Sequence, residues 1–291
     1  VIDKRCTRVP FLAPVYSPNN VSVARAIIAD PGFLIPGSVY LSAEVHNTDA
    51  VANHRLQPLT GLEGAFQRGR LLSGMVLEDI LEYARVGQIF HKLEPLTAQE
   101  EVNKLGFGVV ADGEFDADDT PGIAPKKKLS YIAPGQFKRV WHKPIFGLLN
   151  QNHWIPTQYA PLTFEFTLQG GEHWCDTTAR DGDGGGAGAA IPASTTYELR
   201  NMYLYYDIAT LDSQLNNQFA NMLKSGGAMN FVYESSLMTT NVVLSPDFTT
   251  QVLRNLARVK AIMITFSSNT PNDHNKPGSN QMYLPPNALV G

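Results

Sequence analysis

Cysteine is scarce: Cys6 and Cys175 are the only two in 291 residues. Two cysteines so far apart make neither a disulfide framework nor the paired spacing of a zinc site, and they fit a reducing compartment. Long apolar runs are missing too. No stretch approaches the ~20 consecutive apolar residues that span a bilayer as a helix, so no transmembrane segment is expected. An excess of positive charge is also lacking, with 23 Lys and Arg against 27 Asp and Glu and a net of −4. That argues against specific nucleic-acid recognition and against an anionic membrane surface. The seven histidines (His46, His54, His91, His142, His153, His173, His274) contain no His-x-His pair, which disfavours a cupin-type metal site. No Gly-x-Ser-x-Gly elbow is present, and no repeat recurs at solenoid periods.

What is present describes an ordinary globular core: 43% hydrophobic and 17% charged residues. The 24 glycines and 19 prolines turn the chain often and favour strands and loops over a helix bundle. The clearest single signal is Leu162–Gln169, where apolar and polar residues alternate without a break. Period 2 puts Leu162, Phe164, Phe166 and Leu168 on one face and Thr163, Glu165 and Thr167 on the other, a half-buried strand. Trp141, Ile145, Leu148, Leu149, Trp154 and Ile155 precede it, so residues 138–169 read as a strand, a corner and a second strand.

Along the chain, residues 1–18 carry Pro10, Pro14 and Pro18 and read as an extended arm. Val21–Ile27 alternates as a short strand, and Asp30-Pro31-Gly32 is a turn. Ser38–Asn47 is a second clean strand with Val39, Leu41, Ala43 and Val45 on one face. Phe66–Asp79 suggests a hairpin turning near Ser73-Gly74. Glu78 and Asp79 supply acceptors for a helix start, followed by Ile80, Leu81, Ala84, Val86, Phe90 and Leu93 near helical period. Thr97–Leu105 is a further short helix candidate. Residues 107–136 and 170–195 read as long surface loops. Thr196–Ile208 is a tyrosine-rich strand, and Asp212 caps a helix with a Leu215, Phe219, Met222 and Leu223 stripe, closed by Ser225-Gly226-Gly227. Met229–Glu234 and Met238–Leu244 are short strands, and Val259–Phe266, which includes Met263, is a last core strand. The proline-rich 269–291 reads as a linker. The pattern predicts an all-β jelly-roll sandwich of two packed antiparallel sheets over 19–268, with short helices in the connections. Its core strands are expected to place Val39, Leu41, Val45, Leu162, Phe164, Phe166, Leu168 and Met263 together.

Candidate chemistry is thin. Asp112, Glu114, Asp116, Asp118 and Asp119 lack the calcium-loop spacing, and Asp181 and Asp183 have no further carboxylates nearby. The run Asp181, Asp183, Gly184, Gly185 and Gly186 is expected to be a surface loop, too glycine-rich to fix its own shape. His173 and Cys175 flank Trp174 without further ligands, and Cys175 has only Arg180 nearby to lower its pKa. No metal, no cofactor and no catalytic residue is expected. Tyrosines and large apolar residues remain, the material of a protein that buries surface against copies of itself.

Several blocks resemble a known family. Arg55-Leu56-Gln57-Pro58-Leu59, Ala65 through Ile80 (AFQRGRLLSGMVLEDI) and Tyr83-Ala84-Arg85-Val86 resemble the major capsid proteins of polinton-like viruses and their relatives. Those relatives are virophages, adintoviruses and, more distantly, nucleocytoplasmic large DNA viruses. Gly147 through Pro156 (GLLNQNHWIP) and on to Phe166 is similar to the family's central strands. Tyr205-Tyr206-Asp207 through Leu211-Asp212-Ser213-Gln214-Leu215, and Leu253 through Lys260, are similar to its later blocks. The resemblance implies a double jelly roll, with three subunits forming a pseudo-hexameric capsomer of an icosahedral DNA-virus shell. This chain has strands for about one roll of such a subunit. The implied function is that of a structural, non-enzymatic protein of the virion, assembled in the host cytoplasm or nucleus. Its partners would be itself, in a homotrimer and capsid lattice, with penton and minor capsid proteins. Alternatives are a single-roll penton or minor capsid protein and, from another class, a carbohydrate-binding jelly-roll module.

Overall fold

The computed structural model describes residues 2–52, 54–95, 97–98, 106, 131–177, 192–240, 249 and 258–264. In chain order these form β1 (Asp3–Pro10), β2 (Val15–Tyr16), β3 (Val23–Ile28), β4 (Phe33–Leu34), β5 (Tyr40–Asn47), β6 (Arg55–Leu56) and β7 (Phe66–Ser73). There follow β8 (Met75–Leu81), helix α1 (Tyr83–Leu93), β9 (Phe137–His142), β10 (Leu162–Leu168), β11 (Ala193–Ser194), β12 (Tyr197–Thr210) and helix α2 (Ser213–Lys224).

One sheet has six strands in the order β1-β12-β5-β9, with β2 and β4 also on β12; the other has four, β3-β10-β7-β8. Every pairing within these two sheets is antiparallel, and β6 and β11 add a short parallel pair. Alternation turns one side of each strand inward. Leu41, Val45, Val140, Leu199 and Leu204 from the first sheet meet Ala24, Ala26, Ile28, Phe66, Leu71, Phe164 and Phe166 from the second in one hydrophobic cluster. The fold is an all-β jelly-roll sandwich with short helices in its connections.

β9 and β10 lie in opposite sheets, so residues 143–161 carry the chain across the sandwich. Phe146, Leu148 and Leu149 bury themselves there, around a 3-10 turn at Gly147–Asn150. Leu34 and Ile155 exchange two backbone hydrogen bonds, 2.7 and 3.0 Å. The Glu78 carboxylate of β8 accepts from the Gly147 and Leu148 amides at 2.9 and 2.8 Å. Those amides stand at the start of the short turn, where donors have no partner within it, so a buried acceptor is what they require.

Glycine matters at two points. Gly74 turns the β7–β8 hairpin at φ +70°, a conformation most side chains resist. Gly69 lies where an added Cβ would stand 2.4 Å from the Tyr83 ring.

Several expectations differ from the structure. Residues 3–10, read as an arm, are a strand: β1 pairs with β12 along its whole length. Residues 75–81, read in part as a helix start, complete the hairpin as β8. The helix begins only after Glu82, which takes a left-handed φ of 50°. Glu78 caps the corner, not the helix. In β3 the alanines face inward while Val23 and Ile27 face out. Met229, Phe231 and Tyr233 alternate with exposed neighbours as a strand would, but join no ladder among the described residues. Met263, expected in the core, is 52% exposed, and Val259, Ile262 and Ile264 are exposed with it. Among the described residues, 258–264 pair with no strand, so this apolar run finds no sheet face there to hide against. Residues 99–105 of the helix candidate, 241–244 of the Met238–Leu244 strand candidate and the linker at 269–291 lie outside the described residues.

Phe166 touches the rings of Phe11, Phe66, Tyr83 and Phe146 at centroid distances of 4.7–6.4 Å. Phe166→Ala is expected to cost ~3–5 kcal/mol, because the cavity cannot collapse against so many rigid rings. Denaturant titration at neutral pH measures it; a loss below ~1 kcal/mol would contradict the packing.

Candidate functional site

Val39, Leu41, Val45, Leu162, Phe164, Phe166 and Leu168 all sit in the hydrophobic cluster; Met263 does not. Asp181, Asp183, Gly184, Gly185 and Gly186 lie outside the described residues, as do the acids between 112 and 119. Of the two long loops, residues 131–136, 170–177 and 192–195 are described. Within them Trp174 and Cys175 are buried: the Trp174 indole N–H donates to Gly61 O at 3.1 Å, and its ring meets Tyr197 edge-on at 4.9 Å. Burial, Asp176 and Glu172 push the Cys175 thiol well up, so it is an inert packing group. His173 turns outward towards Glu172. Among the described residues no three His, Cys, Asp or Glu side chains converge as metal ligands.

One buried polar cluster ties α1 to β9. The Tyr83 hydroxyl accepts from the Ile145 amide at 3.0 Å and lies 2.9 Å from His142 Nε2. His142 Nδ1 is 3.6 Å from Glu63 Oε2, and Glu63 Oε1 accepts from Gln88 at 2.7 Å and the Gly61 amide at 3.1 Å. The Ile145 bond leaves the Tyr83 proton for Nε2, which sets a neutral imidazole with Nδ1–H towards Glu63. Burial raises the Tyr83 and Glu63 pKa values and pushes His142 down to about 3. A Tyr–His–Glu series resembles a proton relay, yet all three are buried and no substrate can reach the hydroxyl. Its work is to hold the elements together.

Exposed chemistry lies on the outer faces of the two sheets. On the six-stranded sheet, register aligns Arg8 with Tyr205 and Tyr205 with Tyr40, and beside them Tyr203, Ser42 and Trp141. Trp141 packs on Tyr205 at 4.8 Å and Tyr203 on Tyr205 at 6.3 Å. The Arg8 guanidinium lies 4.8 Å over the Tyr203 ring and donates to the Tyr205 hydroxyl at 3.3 Å. All four rings are half-buried. Beside them Glu44 accepts from Asn201 at 2.7 Å and pairs with Arg139, forming a polar border. A bulge between Arg200 and Tyr203, with Asn201 at φ 48°, reverses the parity of β12. Tyr197 and Tyr206 therefore face the core while Tyr203 and Tyr205 face out.

On the four-stranded sheet a row of charges crosses every strand: Arg25, Glu165, Arg70 and Asp79 are successive register partners. Glu165, almost fully buried, pairs with both arginines, and Arg68 grips Asp79 with two bonds of 2.7 and 2.6 Å. Rows of Ile27, Thr163, Leu72 and Val76 on one side, and Val23, Thr167, Arg68 and Leu81 on the other, flank it. Neither face was apparent as a unit from the sequence. The tyrosine-rich strand and the lone charges of β3 and β10 were its visible traces; cross-strand register assembled the rest. An open groove of 330 Å³ between the turns at Pro36–Ser38 and Gly147–Asn150 is lined by Lys143, Asn150, Gln151 and Trp154.

The buried histidine makes stability depend on pH. A folded pKa below the ordinary 6.5 gives a contribution that is complete above that value and is lost as pH falls towards 3. Full protonation would cost on the order of 5 kcal/mol, at about 1.4 kcal/mol per pH unit. Glu63, shifted upward, opposes this in part, since its contribution is present at low pH and lost as pH rises. Thermal melts from pH 7 to 4 are expected to fall steadily, and His142→Gln, which does not titrate, is expected to flatten that slope.

No protein-family model matches this chain, and no curated protein sequence matches it. Among solved structures, a chain in the 3.5 Å cryo-EM structure of the Sputnik virophage is similar, with a TM-score of 0.49 and 10% sequence identity. The similarity covers 73% of this chain and 48% of that one, so the present chain spans about half its length.

Proposed function

We propose that this chain is a structural capsid protein of a virion, of the major capsid class, and works by self-assembly rather than catalysis. The observation that carries the reading is the Arg8, Tyr40, Trp141, Tyr203 and Tyr205 patch on the outer face of a jelly-roll sandwich. Trp, Tyr and Arg are the residues that dominate binding energy at protein interfaces, above all when rigid and bordered by polar groups. Here the rings brace one another and the guanidinium is already fixed on them, so little side-chain freedom is left to lose on association. The ring planes are tilted by 50° and 62°, an uneven surface suited to interlocking side chains. A sugar-binding platform would present its rings in one plane.

The blocks that resemble major capsid proteins fall on elements that build the sandwich: the β7–β8 hairpin, the first turn of α1, the corner at 147–156, β10 and the end of β12. Most of the 253–260 block lies outside the described residues. In this reading three copies associate through the aromatic face into a pseudo-hexameric capsomer. The shell then recruits penton and minor capsid proteins, and assembly takes place in the host cytoplasm or nucleus. The subunit's described residues would then be one roll of a double jelly roll.

Mass measurement and negative-stain imaging of the purified protein test this. Trimers or shells are expected, and the Trp141→Ala, Tyr205→Ala double variant is expected to be monomeric at equal concentration with little change in melting temperature. A monomeric wild type, or a double variant that assembles normally, would overturn it.

A further inference from the structure

The open groove between the turns at Pro36–Ser38 and Gly147–Asn150 takes no part in the aromatic face. We infer that it is a binding site for a carboxylated pyranose, a sugar ring that carries one acid group. This does not depend on the capsid reading, which rests on other residues.

The walls are set before any ligand arrives. The Ser38 hydroxyl donates to Ile35 O at 2.7 Å and accepts from the Asp207 amide at 2.8 Å, while the Ile35 amide donates to Asp207 O at 3.0 Å. Those bonds fix one wall on β12. The opposite wall is the corner that Glu78 holds through the Gly147 and Leu148 amides. Gln151 uses its carboxamide locally: Oε1 accepts from the His153 amide at 2.6 Å, and the Nε2 group donates to the His153 carbonyl. That tight loop leads directly into Trp154, which stands half-buried in the groove wall. A site braced in this way loses little freedom when a ligand binds.

What the groove offers is selective. Its lining holds one cation, Lys143, and no acidic residue. Among the described residues, the side chains of Lys143, Asn150 and Asn152 pair with no protein group. A carboxamide both donates and accepts, which suits a hydroxyl that does the same. One ammonium matches one carboxylate, whereas a phosphate calls for several cations or converging amides. The Trp154 ring supplies an apolar surface for the C–H face of a pyranose. A volume of 330 Å³ is at the small end of ligand sites and suits a single sugar ring with the start of the next. Because the groove stays open to water, the ion pair is screened and the affinity is modest.

Saturation-transfer NMR on the full chain, with methyl β-glucuronide as the probe, tests the site. A Kd on the order of 1 mM is expected, with the strongest transfer to the ring C–H protons that face Trp154. Methyl β-glucoside, which lacks the carboxylate, is expected to bind about fivefold more weakly, the gain that a solvent-exposed ion pair allows. Lys143→Gln is expected to remove that difference and leave binding of the neutral sugar unchanged. Trp154→Ala is expected to abolish binding of both. Gly37 also lines the groove, and an added Cβ there meets no atom within 4 Å. Gly37→Tyr is therefore expected to keep the melting temperature of the wild type while blocking both sugars. No binding at about 20 mM probe, or equal binding of the two sugars by the wild type, would overturn the inference. So would glucuronide binding that survives Trp154→Ala or Gly37→Tyr. Acetate that competes as tightly as the glucuronide would reduce the groove to a simple anion site and overturn it as well.

Discussion

The sandwich is closed around Tyr83. Its ring, wholly buried, fills the space left by Gly69 and meets Phe66, Phe146 and Phe166 within 5.5–6.2 Å. Those rings belong to β7, to the corner and to β10, while the hydroxyl holds Ile145 and His142 at the end of β9. One side chain on the first turn of α1 thus joins the helix, both sheets and the crossing between them. Burying a phenol is costly unless the oxygen finds partners, and here it finds two. The strict geometry of those bonds, together with the void at Gly69, explains why α1 must start where it does. Glu82 accepts a left-handed conformation to bring Tyr83 inward.

The outer faces obey a different rule. A sheet covered on one side leaves half its side chains towards water, and these need not be apolar. In the four-stranded sheet that freedom is used for a ladder of lateral ion pairs, with Glu165 shielded by two arginines. In the six-stranded sheet it is used for rings and one guanidinium. Glu44, Arg139 and Asn201 mark where the aromatic patch ends. The two faces share a core yet differ in chemistry, because the polar parity of each strand is set independently of what the inward parity must pack.

Much of the architecture was legible because period 2 is hard to imitate. β5 and β10 announce themselves by unbroken alternation, and the glycine of the β7–β8 hairpin by its place between two such runs. The failures share a cause. β1 carries Asp3, Lys4, Arg5 and Arg8 and three nearby prolines, so it reads as solvated chain, yet an edge strand needs only one neighbour and tolerates charge. Glu78 and Asp79 look like helix acceptors because acidic pairs often are; only the fold reveals two corner amides waiting for Glu78. The bulge in β12 shifts parity midway, so no single period could sort its tyrosines. The run at 259–264 is apolar on both sides, which predicts a strand but not its partner, and pairing partners are not local information. The site suffered most, since Arg8, Tyr40, Trp141 and Tyr205 are scattered over nearly two hundred positions and only register gathers them.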